Sequence, residues 1–374
     1  MTTVLHVISG LGLGGAERVL VETAKGLHDR GLAQHVVSLR GRGQFADDLE
    51  SAGVSVRAIN IASAPQALSA LWQMRQIVHR LQPDIIQGWM YHGDLAAMAA
   101  HLVAHGRSRR RLSWNIRASD LESTRHTKLI HICGLFSRWP DVIVANSKAG
   151  EKFHTAHGYH PRLLVVIPNG IDTDKFRPDP IARAVLRAEL GLGDQVVAVH
   201  VARIDPMKDH AAFLEAMASV PDTLGLLVGS GTENLVCPPN VRALGIRRDV
   251  ERIYAAADLV VSSSAFGEGF SNVLAEGMSA GLVPVATDVG DAVRIVGPTG
   301  CIVAPRNPTA LAAAIKAEAT LSPDQRRGRG LQARARIVAS FASAQAIEAY
   351  AGLYQAVCSG DGSVRDINQA VCEK

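Results

Sequence analysis

Two carboxylates, Glu268 and Glu276, lie eight residues apart in the run Glu268-Gly-Phe-Ser-Asn-Val-Leu-Ala-Glu276. The pattern predicts a buried strand at 258–263 and a helix at 270–280. Glu268 would then lie in a loop at the carboxyl end of a strand, where open α/β sheets bind ligands. Ionised carboxylates accept hydrogen bonds and are suited to sugar hydroxyls. The alternative is that Glu268 is a charge at a helix N-terminus and Glu276 a solvated helix residue.

Two cations, Arg203 and Lys208, follow the predicted strand 195–202 and are five residues apart. Both would lie at the carboxyl end of that strand. Two fixed cations there can neutralise a diphosphate without a metal ion, because charge-assisted hydrogen bonds to phosphate are strong. The alternative is a solvated loop, which is the usual reason for an isolated pair of basic residues.

Three turns that contain glycine also follow predicted strands. The run from Gly10 to Gly15 leads directly into a helix, so its backbone N–H groups could bind an anion there. Gly229-Ser-Gly231 follows the strand 224–228, and the turn 244–250 could present its backbone to a nucleobase. Turn chemistry alone explains each glycine run. In the second series of strands, however, four elements follow successive strands, and together they indicate a ligand site. They are the pair of cations at 203 and 208, the turns 229–231 and 244–250, and the run 268–276.

Strands and helices are predicted to alternate along almost the whole chain. The strands are expected at 3–8, 35–39, 54–59, 84–89, 111–117, 141–146 and 163–167, and then at 195–202, 224–228, 241–244, 258–263, 283–286 and 301–303. Three helices are expected near the C-terminus, at 307–319, 322–341 and 342–357. Such alternation implies parallel sheets with helices on both faces, and two series imply two doubly wound α/β domains.

The boundary between the two series falls in the turn-rich segment 168–178. We expect an N-terminal domain over 1–170 and a C-terminal domain over 171–340. A C-terminal helix is expected over 341–358, followed by a polar tail over 359–374.

The composition is that of a soluble α/β protein, with 47% apolar and 20% charged residues among 374. The five cysteines are scattered without a Cys-x-x-Cys motif, which argues against a disulfide framework or a zinc site. No segment approaches the roughly 18 apolar residues of a membrane span, and the N-terminus lacks the pattern of a signal peptide. The expected location is the cytoplasm.

Basic residues are concentrated between 107 and 139, although the net charge is only +4. They are Arg107, Arg109, Arg110, Arg111, Arg117, Arg125, Lys128 and Arg138. Apolar residues such as Phe136 and Trp139 lie among them, and a basic, apolar helix can lie on anionic lipid. The alternative is a helix that packs one face and solvates the other. Nucleic acid is not expected as a partner, because no binding motif accompanies the charge.

The chain resembles the retaining glycosyltransferases of the GT-B type, family 4, which have two Rossmann-like domains facing each other across a cleft. The resemblance spans nearly the whole chain and is most specific at 14–19, 166–172, 202–208 and 268–276. It implies transfer of a hexose, of the mannose or glucose type, from a GDP- or UDP-sugar to a glycan or lipid-linked saccharide. Bacterial exopolysaccharide or lipopolysaccharide synthesis is the expected setting. The nucleotide sugar is a substrate, and neither a cofactor nor a metal ion is expected.

The resemblance also implies roles for individual residues. Arg203 and Lys208 would hold the diphosphate, Glu268 the donor sugar and Glu276 the ribose hydroxyls. Gly14 and Gly15 would close over the phosphates from the opposite domain, and the final helix would cross back to the N-terminal domain. The predicted catalytic residues are Glu268, Arg203 and Lys208, and the predicted donor-binding residues are Gly14, Gly15, Gly229, Gly231, Arg247, Gly269, Phe270, Ser271, Asn272 and Glu276.

One position departs from the family pattern. Relatives often carry a histidine near the donor sugar where this chain has Arg117. A guanidinium remains charged and cannot act as a base near neutral pH, so Arg117 would contact an anionic acceptor or the sugar instead. His92, predicted to end the strand before it, is a second candidate contact for the acceptor or sugar. The alternative for His92 is a structural histidine with satisfied hydrogen bonds.

Retention would require the leaving diphosphate oxygen to take the acceptor's proton on the face from which it departs. The enzyme's contribution would then be electrostatic and positional. Two alternatives keep the fold: a sugar-nucleotide 2-epimerase, and a non-catalytic sugar-nucleotide-binding subunit. The sequence does not distinguish GDP from UDP, and it does not identify the acceptor.

Overall fold

A computed structural model of the chain describes residues 2–12, 14–61, 66–103, 110–119 and 127–359. These residues form two compact units. The first consists of the described residues up to Gly170 together with those from Ser343 onward, and the second is Ile171–Ala342. Apart from Ser359, the predicted polar tail lies outside the described residues.

The first unit is built on a seven-stranded parallel sheet. Its strands are β1 (Thr3–Ile8), β2 (Ala33–Ser38), β3 (Ser55–Ala58), β4 (Ile85–Trp89), β5 (Arg111–Ile116), β6 (Val142–Ala145) and β7 (Leu164–Val166). The helices between them are α1 (Gly15–Asp29), α2 (Ala46–Ser51), α3 (Gln66–Leu81), α4 (Met90–Val103), α5 (Thr127–Phe136) and α6 (Lys148–Ala156). The strand order is β3-β2-β1-β4-β5-β6-β7, so the chain order reverses between β1 and β4.

The second unit is built on a six-stranded parallel sheet. Its strands are β8 (Val196–Val201), β9 (Thr223–Val228), β10 (Val241–Ala243), β11 (Leu259–Ser262), β12 (Val283–Thr287) and β13 (Cys301–Val303). Its helices are α7 (Pro180–Glu189), α8 (His210–Ala218), α9 (Val250–Ala256), α10 (Asn272–Ser279), α11 (Ala292–Val296), α12 (Pro308–Ala319) and α13 (Pro323–Ser340). The order β10-β9-β8-β11-β12-β13 reverses between β8 and β11.

The predicted alternation of strands and helices is confirmed, as is the class of two doubly wound α/β units. All thirteen predicted strands are present, with ends that differ by at most two residues. The strands were recognisable because they are short apolar runs, and β4, β6, β9 and β12 are buried along their whole length. Burial on both faces is the rule for parallel sheets covered by helices.

The last helix, α14 (Ser343–Ser359), belongs to the first unit although the second unit precedes it in the chain. Two buried polar contacts fix it against the first sheet. The Tyr354 hydroxyl donates to Oε1 of Gln87 at 2.5 Å, and Nδ2 of Asn115 donates to the Tyr350 hydroxyl at 2.7 Å. Since a buried polar group without a partner is costly, these bonds favour one register of the helix.

Four histidines are buried among the described residues, and in His6, His154 and His200 burial lowers the pKa most strongly, so that these side chains are neutral. Burial lowers the pKa of His6 and of His154 to about 4, and that of His200 to about 3. Two of these imidazoles have neighbours that suit the neutral form: Nδ1 of His6 accepts from Nε1 of Trp89 at 3.0 Å, and Nε2 of His154 lies 2.9 Å from the Tyr91 hydroxyl. The apolar surroundings disfavour the imidazolium, which would lose its hydration there.

Stability is expected to fall as the pH decreases from about 7 to about 5. In the unfolded chain these histidines take up protons near their ordinary pKa of roughly 6.5. In the folded protein they stay neutral until the pH falls to their lowered pKa values of about 4 and about 3. The unfolded state therefore binds more protons in this window, and each histidine contributes a slope of up to about 1.4 kcal/mol per pH unit. Urea titrations over this range measure the slope.

His6→Gln should reduce the slope by about one proton, while replacement of the exposed His131 serves as the control and should leave it unchanged. Stability that does not change with pH over this range would contradict the assignment of neutral buried histidines.

Candidate functional site

The predicted donor residues of the second unit lie in four loops that follow neighbouring strands. The loops are 202–209 after β8, 229–231 after β9, 244–249 after β10 and 263–271 after β11. Because all these strands are parallel, their carboxyl ends lie on the same edge of the sheet. The order reverses between β8 and β11, and such a reversal leaves a crevice at that edge in open α/β sheets.

Lys208 and Glu268 form an ion pair that joins the loop after β8 to the loop after β11. The side chains are only 16% and 11% exposed. Ser264 donates its hydroxyl to the same carboxylate oxygen at 2.8 Å, which fixes the orientation of Glu268 further. The structure thus brings two of the three predicted catalytic residues into direct contact.

The backbone around Lys208 is held by side chains on both sides of the reversal. Asp205 caps the 3₁₀ turn that ends at Lys208 by accepting from the N–H of Met207 at 3.1 Å. Asp209 follows with a left-handed backbone (φ 45°) and begins α8. The hydroxyl of Ser263 donates to the carbonyls of Lys208 and Asp209 at 2.9 and 3.1 Å. The position of Lys208 is therefore set by the backbone, independently of its ion pair.

Arg203, the third predicted catalytic residue, is much more accessible. Its side chain is 63% exposed and donates to Asp205 at 2.8 Å. An arginine has five N–H donors, so most of this guanidinium remains available to a ligand. The loop after β8 thus carries one fixed, nearly buried cation and one exposed cation.

Gly229 allows the loop after β9 to approach the loop after β8. Its backbone has a φ of 147°, and a Cβ there would lie 2.0 Å from the carbonyl oxygen of Ala202 and 2.9 Å from the nitrogen of Arg203. Its own N–H donates to the carbonyl of Gly245 at 2.8 Å, which links the loops after β9 and β10. Gly231, with a φ of 89°, is likewise in a conformation that favours glycine.

Glu276 lies inside α10 and is only 3% exposed, so its interpretation as a solvated helix residue is wrong. The Tyr254 hydroxyl lies 3.4 Å from its Oε2 and donates to the carbonyl of Val273 at 3.1 Å. A buried carboxylate requires hydrogen-bond donors, and the helix holds this one at the ligand edge of the sheet.

The segment before α10 presents backbone rather than charged side chains. Ser271 occupies the N-cap position, and among the described residues its buried hydroxyl has no hydrogen-bond partner. Phe270 packs against Phe341, with ring centroids 5.3 Å apart, which makes its ring part of the core. Gly269 accepts from the N–H of Asp291 at 3.0 Å, and Asn272 is the first residue of α10. N–H groups at a helix N-terminus suit an anion or a hydroxyl oxygen.

Arg247 is committed to a neighbouring carboxylate. It forms a bidentate pair with Asp249, through hydrogen bonds of 2.8 and 2.6 Å. The Arg247 guanidinium holds the pKa of Asp249 below its ordinary value. The backbone of Arg247 is therefore more available to a ligand than its side chain is.

Gly14 and Gly15 lie in the first unit, at the start of α1. Gly14 is the N-cap residue, with an extended backbone. A Cβ at Gly14 would lie 2.0 Å from Oε2 of Glu17, so the glycine permits that carboxylate to lie against the helix start. Their predicted contact with phosphates stays a prediction.

Arg117, just beyond β5, is half-buried and held on three sides. It donates to Oδ1 of Asn115 at 3.0 Å and to Oδ1 of Asn169, and its guanidinium lies 5.1 Å from the centroid of the Trp89 ring. Burial lowers the pKa of Arg117 from its ordinary value, although a guanidinium remains charged. The predicted position of Arg117 at a strand's carboxyl end is thus confirmed.

His92 does not end a strand, contrary to the prediction. It is the third residue of α4 and is exposed. The strand stops at Trp89 because Met90 takes a left-handed backbone (φ 62°) and turns the chain directly into the helix. A Cβ at Gly93 would lie 2.5 Å from the carbonyl oxygen of Val7, so glycine is required for the close packing of α4 against β1.

Several contact residues were not predicted: Ser263, Ser264, Tyr254 and Asn169. The serines and the tyrosine are single polar residues in apolar segments, without a spacing pattern. Asn169 lies in a segment that carried the family resemblance, and this was a usable signal. Arg107, Arg109 and Arg125 of the basic stretch lie outside the described residues.

The described part of the chain contains no group of three or more His, Cys, Asp or Glu side chains that could hold a metal ion. Its four cysteines are free thiols. None of its helices is long and apolar enough to span a membrane. Independence of a metal ion stays a prediction.

Two family models match the chain. The model "Glycosyltransferase Family 4" matches residues 13–175, and "Glycosyl transferases group 1" matches residues 195–319. Together they cover about three quarters of the chain. The protein therefore belongs to glycosyltransferase family 4, and its two Rossmann-like units are those of the GT-B fold.

Curated relatives and solved structures agree with this assignment. The chain is 35% identical over 182 residues to "D-inositol 3-phosphate glycosyltransferase" of Mycobacterium sp. (strain KMS), a match that covers 43% of this chain and only 40% of that protein. It is 27% identical to "Lipopolysaccharide core biosynthesis glycosyltransferase LpsD" of Rhizobium meliloti, covering 76% and 78%. Anabaena Alr3699/HepE, solved with UDP and glucose, is 25% identical with a TM-score of 0.82, covering 95% and 100%.

Gly229→Ala is expected to destabilise the protein by about 1–3 kcal/mol, because the added methyl group would meet the backbone of the loop after β8. Thermal and urea unfolding measure the loss. Gly193→Ala is the matched control, since no atom lies within 4 Å of a Cβ there, and it should change stability by less than about 0.5 kcal/mol. Equal stability of the two variants would show that the loop contact is not constraining.

Proposed function

We propose that this protein transfers a hexose from a nucleoside diphosphate sugar to a saccharide acceptor, with retention at the anomeric carbon. One observation carries the proposal. At the point where the strand order of the second sheet reverses, Arg203, Lys208, Glu268 and Glu276 lie on loops and a helix at a single sheet edge. Cations for a diphosphate and carboxylates for hydroxyl groups are the two sets of groups that a sugar nucleotide needs.

The two cations stabilise the leaving group. Negative charge develops on the diphosphate as its bond to the sugar breaks, and groups already fixed in place lower the barrier most. Lys208 is fixed by its backbone contacts and by the ion pair with Glu268, whereas the exposed Arg203 closes on the phosphates when they bind. This arrangement requires no metal ion in the proposed mechanism.

The two carboxylates bind hydroxyl groups and do not exchange protons. Glu268 is already hydrogen-bonded by Lys208 and Ser264, which orients its remaining acceptor positions towards a sugar. Glu276 lies deeper, beside Tyr254, and binds the ribose. The N–H groups at the start of α10 add backbone donors between them.

In the proposed reaction the bond between the anomeric carbon and the diphosphate oxygen breaks, and a bond to the acceptor oxygen forms on the same face. The acceptor's hydroxyl proton passes to the departing diphosphate oxygen. A uridine or guanosine diphosphate is therefore the second product. The donor sugar is proposed to be of the mannose or glucose type and the acceptor a glycan or a lipid-linked saccharide, and the names of the relatives support this choice.

Thermal shifts with UDP, GDP and their hexose conjugates test the donor site. A ligand present at about 100 times its dissociation constant should stabilise the native state by about 2.7 kcal/mol. Arg203→Ala should lower the transfer rate by roughly 10²–10³-fold, because the guanidinium contacts developing charge. Its unliganded melting temperature should not change, since an exposed pair contributes little.

Arg327→Ala removes another exposed arginine of the same unit and is the matched control. In the wild-type reaction, NMR of the early product should show the anomeric configuration of the donor. A transfer rate of Arg203→Ala close to that of the wild type would contradict the assignment of Arg203 to the diphosphate site. Epimerisation of the donor in the absence of an acceptor would favour the 2-epimerase, and tight binding without turnover would favour a non-catalytic subunit.

We further propose that α5 and the turn after it lie on an anionic membrane surface. This helix is apolar, yet Ile132, Leu135 and Trp139 are 43%, 79% and 51% exposed. Lys128 and Arg138 are exposed on the same segment. Apolar side chains flanked by cations are typical of surfaces that insert between anionic headgroups.

An open cavity of about 760 Å³ adjoins this segment and supports the choice of an anionic surface. Its lining includes Arg138, His160 and Arg162, with Glu151 as the acidic member. Glu151 is paired with Lys148 at 3.0 Å, so the local charge is positive. Phosphate headgroups are the complementary partner.

The double variant Leu135→Ser, Trp139→Ser should bind vesicles of phosphatidylcholine and phosphatidylglycerol at least about tenfold more weakly than the wild type, because burial of a large apolar side chain contributes about 1.5–3 kcal/mol. Co-sedimentation at low salt measures binding where the electrostatic part is strongest. Ile181→Ser, which removes a 78% exposed side chain of the second unit, is the control. Absence of wild-type binding at low salt would count decisively against the surface.

A further inference from the structure

We propose that Arg117 binds an anionic group, a carboxylate or a phosphate, on one of the sugar substrates. The inference rests on the proposed glycosyl transfer and specifies the chemical class of one substrate. It starts from Arg117, whose permanently charged guanidinium lies at the carboxyl end of β5.

The guanidinium of Arg117 is held in one plane. The carbonyl oxygens of Asn115 and Asn169 each accept one of its hydrogen bonds, and the Trp89 ring lies against it. Asn115 is itself fixed, because its Nδ2 donates to the Tyr350 hydroxyl at 2.7 Å. The Tyr350 hydroxyl is a further polar neighbour of the guanidinium. An arginine has five N–H donors, so these contacts leave about two of them for a ligand. A planar donor array held in place is suited to bidentate binding of a carboxylate or phosphate.

Within the part of the chain that the structure describes, the positive charge of Arg117 has no paired counter-ion. Among the described residues, no carboxylate lies within ion-pair distance of it; Glu17 and Glu22 of α1 act on it only through space. Partial burial costs the cation hydration, and neutral amide oxygens replace only part of that loss. An anionic ligand would supply the missing charge.

Another arginine on the same strand shows the contrast. Arg111, at the start of β5, is paired with Asp141 at 3.3 Å. That arginine, at the amino end of the strand, has its counter-ion within the protein. Arg117, at the carboxyl end, has none among the described residues. A neutral sugar hydroxyl would not require an unpaired cation at this position, because the neutral amides of Asn115 and Asn169 already provide polar contacts there.

Two substrates could carry the anion. An acceptor could contain a uronic acid or a phosphorylated sugar, and a donor could be a nucleoside diphosphate uronic acid. The chemistry recognised by Arg117 is the same in both cases, so the test uses matched neutral and anionic members of each class.

The acceptor arm compares methyl glucoside with methyl glucuronide, and glucose with glucose 6-phosphate. The donor arm compares UDP-glucose with UDP-glucuronate. We expect the wild type to use an anionic member at least about tenfold better in kcat/KM, the effect of one charged hydrogen-bonded pair. Arg117→Gln should lose roughly 10- to 100-fold with that member and less than about threefold with its neutral partner. The arm in which this occurs identifies the substrate that carries the anion.

Arg117→Lys keeps the charge but not the planar array, and it should fall between the wild type and Arg117→Gln. Arg75→Gln, which removes an exposed arginine of α3, is the charge-matched control and should behave as the wild type. If no pair is turned over, calorimetry of methyl glucuronide and glucose 6-phosphate, in the presence of UDP or GDP, gives the same comparison. Tighter binding to the wild type than to Arg117→Gln supports the inference.

Equal loss with neutral and anionic members, or equal affinity of the wild type and Arg117→Gln for the anionic sugars, would overturn it and leave Arg117 with a structural role. Failure of the proposed function is distinguishable from failure of this inference. A protein without a donor site would show no thermal shift with UDP or GDP, either as the wild type or as Arg117→Gln.

Discussion

The ion pair between Lys208 and Glu268 is the interaction on which the candidate site of the second unit depends. It connects the loops after β8 and β11, which are the two strands between which the order of the sheet reverses. Because both side chains are nearly buried, removal of either partner leaves an uncompensated charge in the protein interior. The pair therefore has two effects. It holds the loops after β8 and β11 together, and it holds both charged side chains in position for a ligand.

A buried histidine spans the reversal point of each sheet. His6 on β1 accepts a hydrogen bond from Nε1 of Trp89 on β4 at 3.0 Å. His200 on β8 donates through Nδ1 to the carbonyl of Val261 on β11 at 3.0 Å. Burial keeps both imidazoles neutral, because an imidazolium would lose its hydration there. The same physical solution thus joins the two halves of each doubly wound sheet, just below the edge where the charged residues lie.

The second unit is inserted into the first, and both pairs of chain ends at this insertion are adjacent. Ile171 donates its N–H to the carbonyl of Phe341 at 2.8 Å, so the second unit begins and ends side by side. In the first unit a Cβ at Gly170 would lie 2.6 Å from Cα of Ser343, so the two segments there are in close contact. Adjacent ends let each sheet keep its own core, which is why α14 can complete the first unit.

The fold and the donor loops could be predicted because their signals are local. An apolar run marks a strand, and the charged or glycine residues that follow it mark the ligand edge of the sheet. The burial of Glu276 and the partners of Arg117 could not be predicted in this way. Asn169 reaches Arg117 from 52 residues away, and Tyr350 reaches Asn115 from 235 residues away, so only the folded chain brings them together. The charge of Arg117 is visible in the sequence, but the absence of a paired carboxylate among the described residues, which gives that charge its meaning, is a property of the structure.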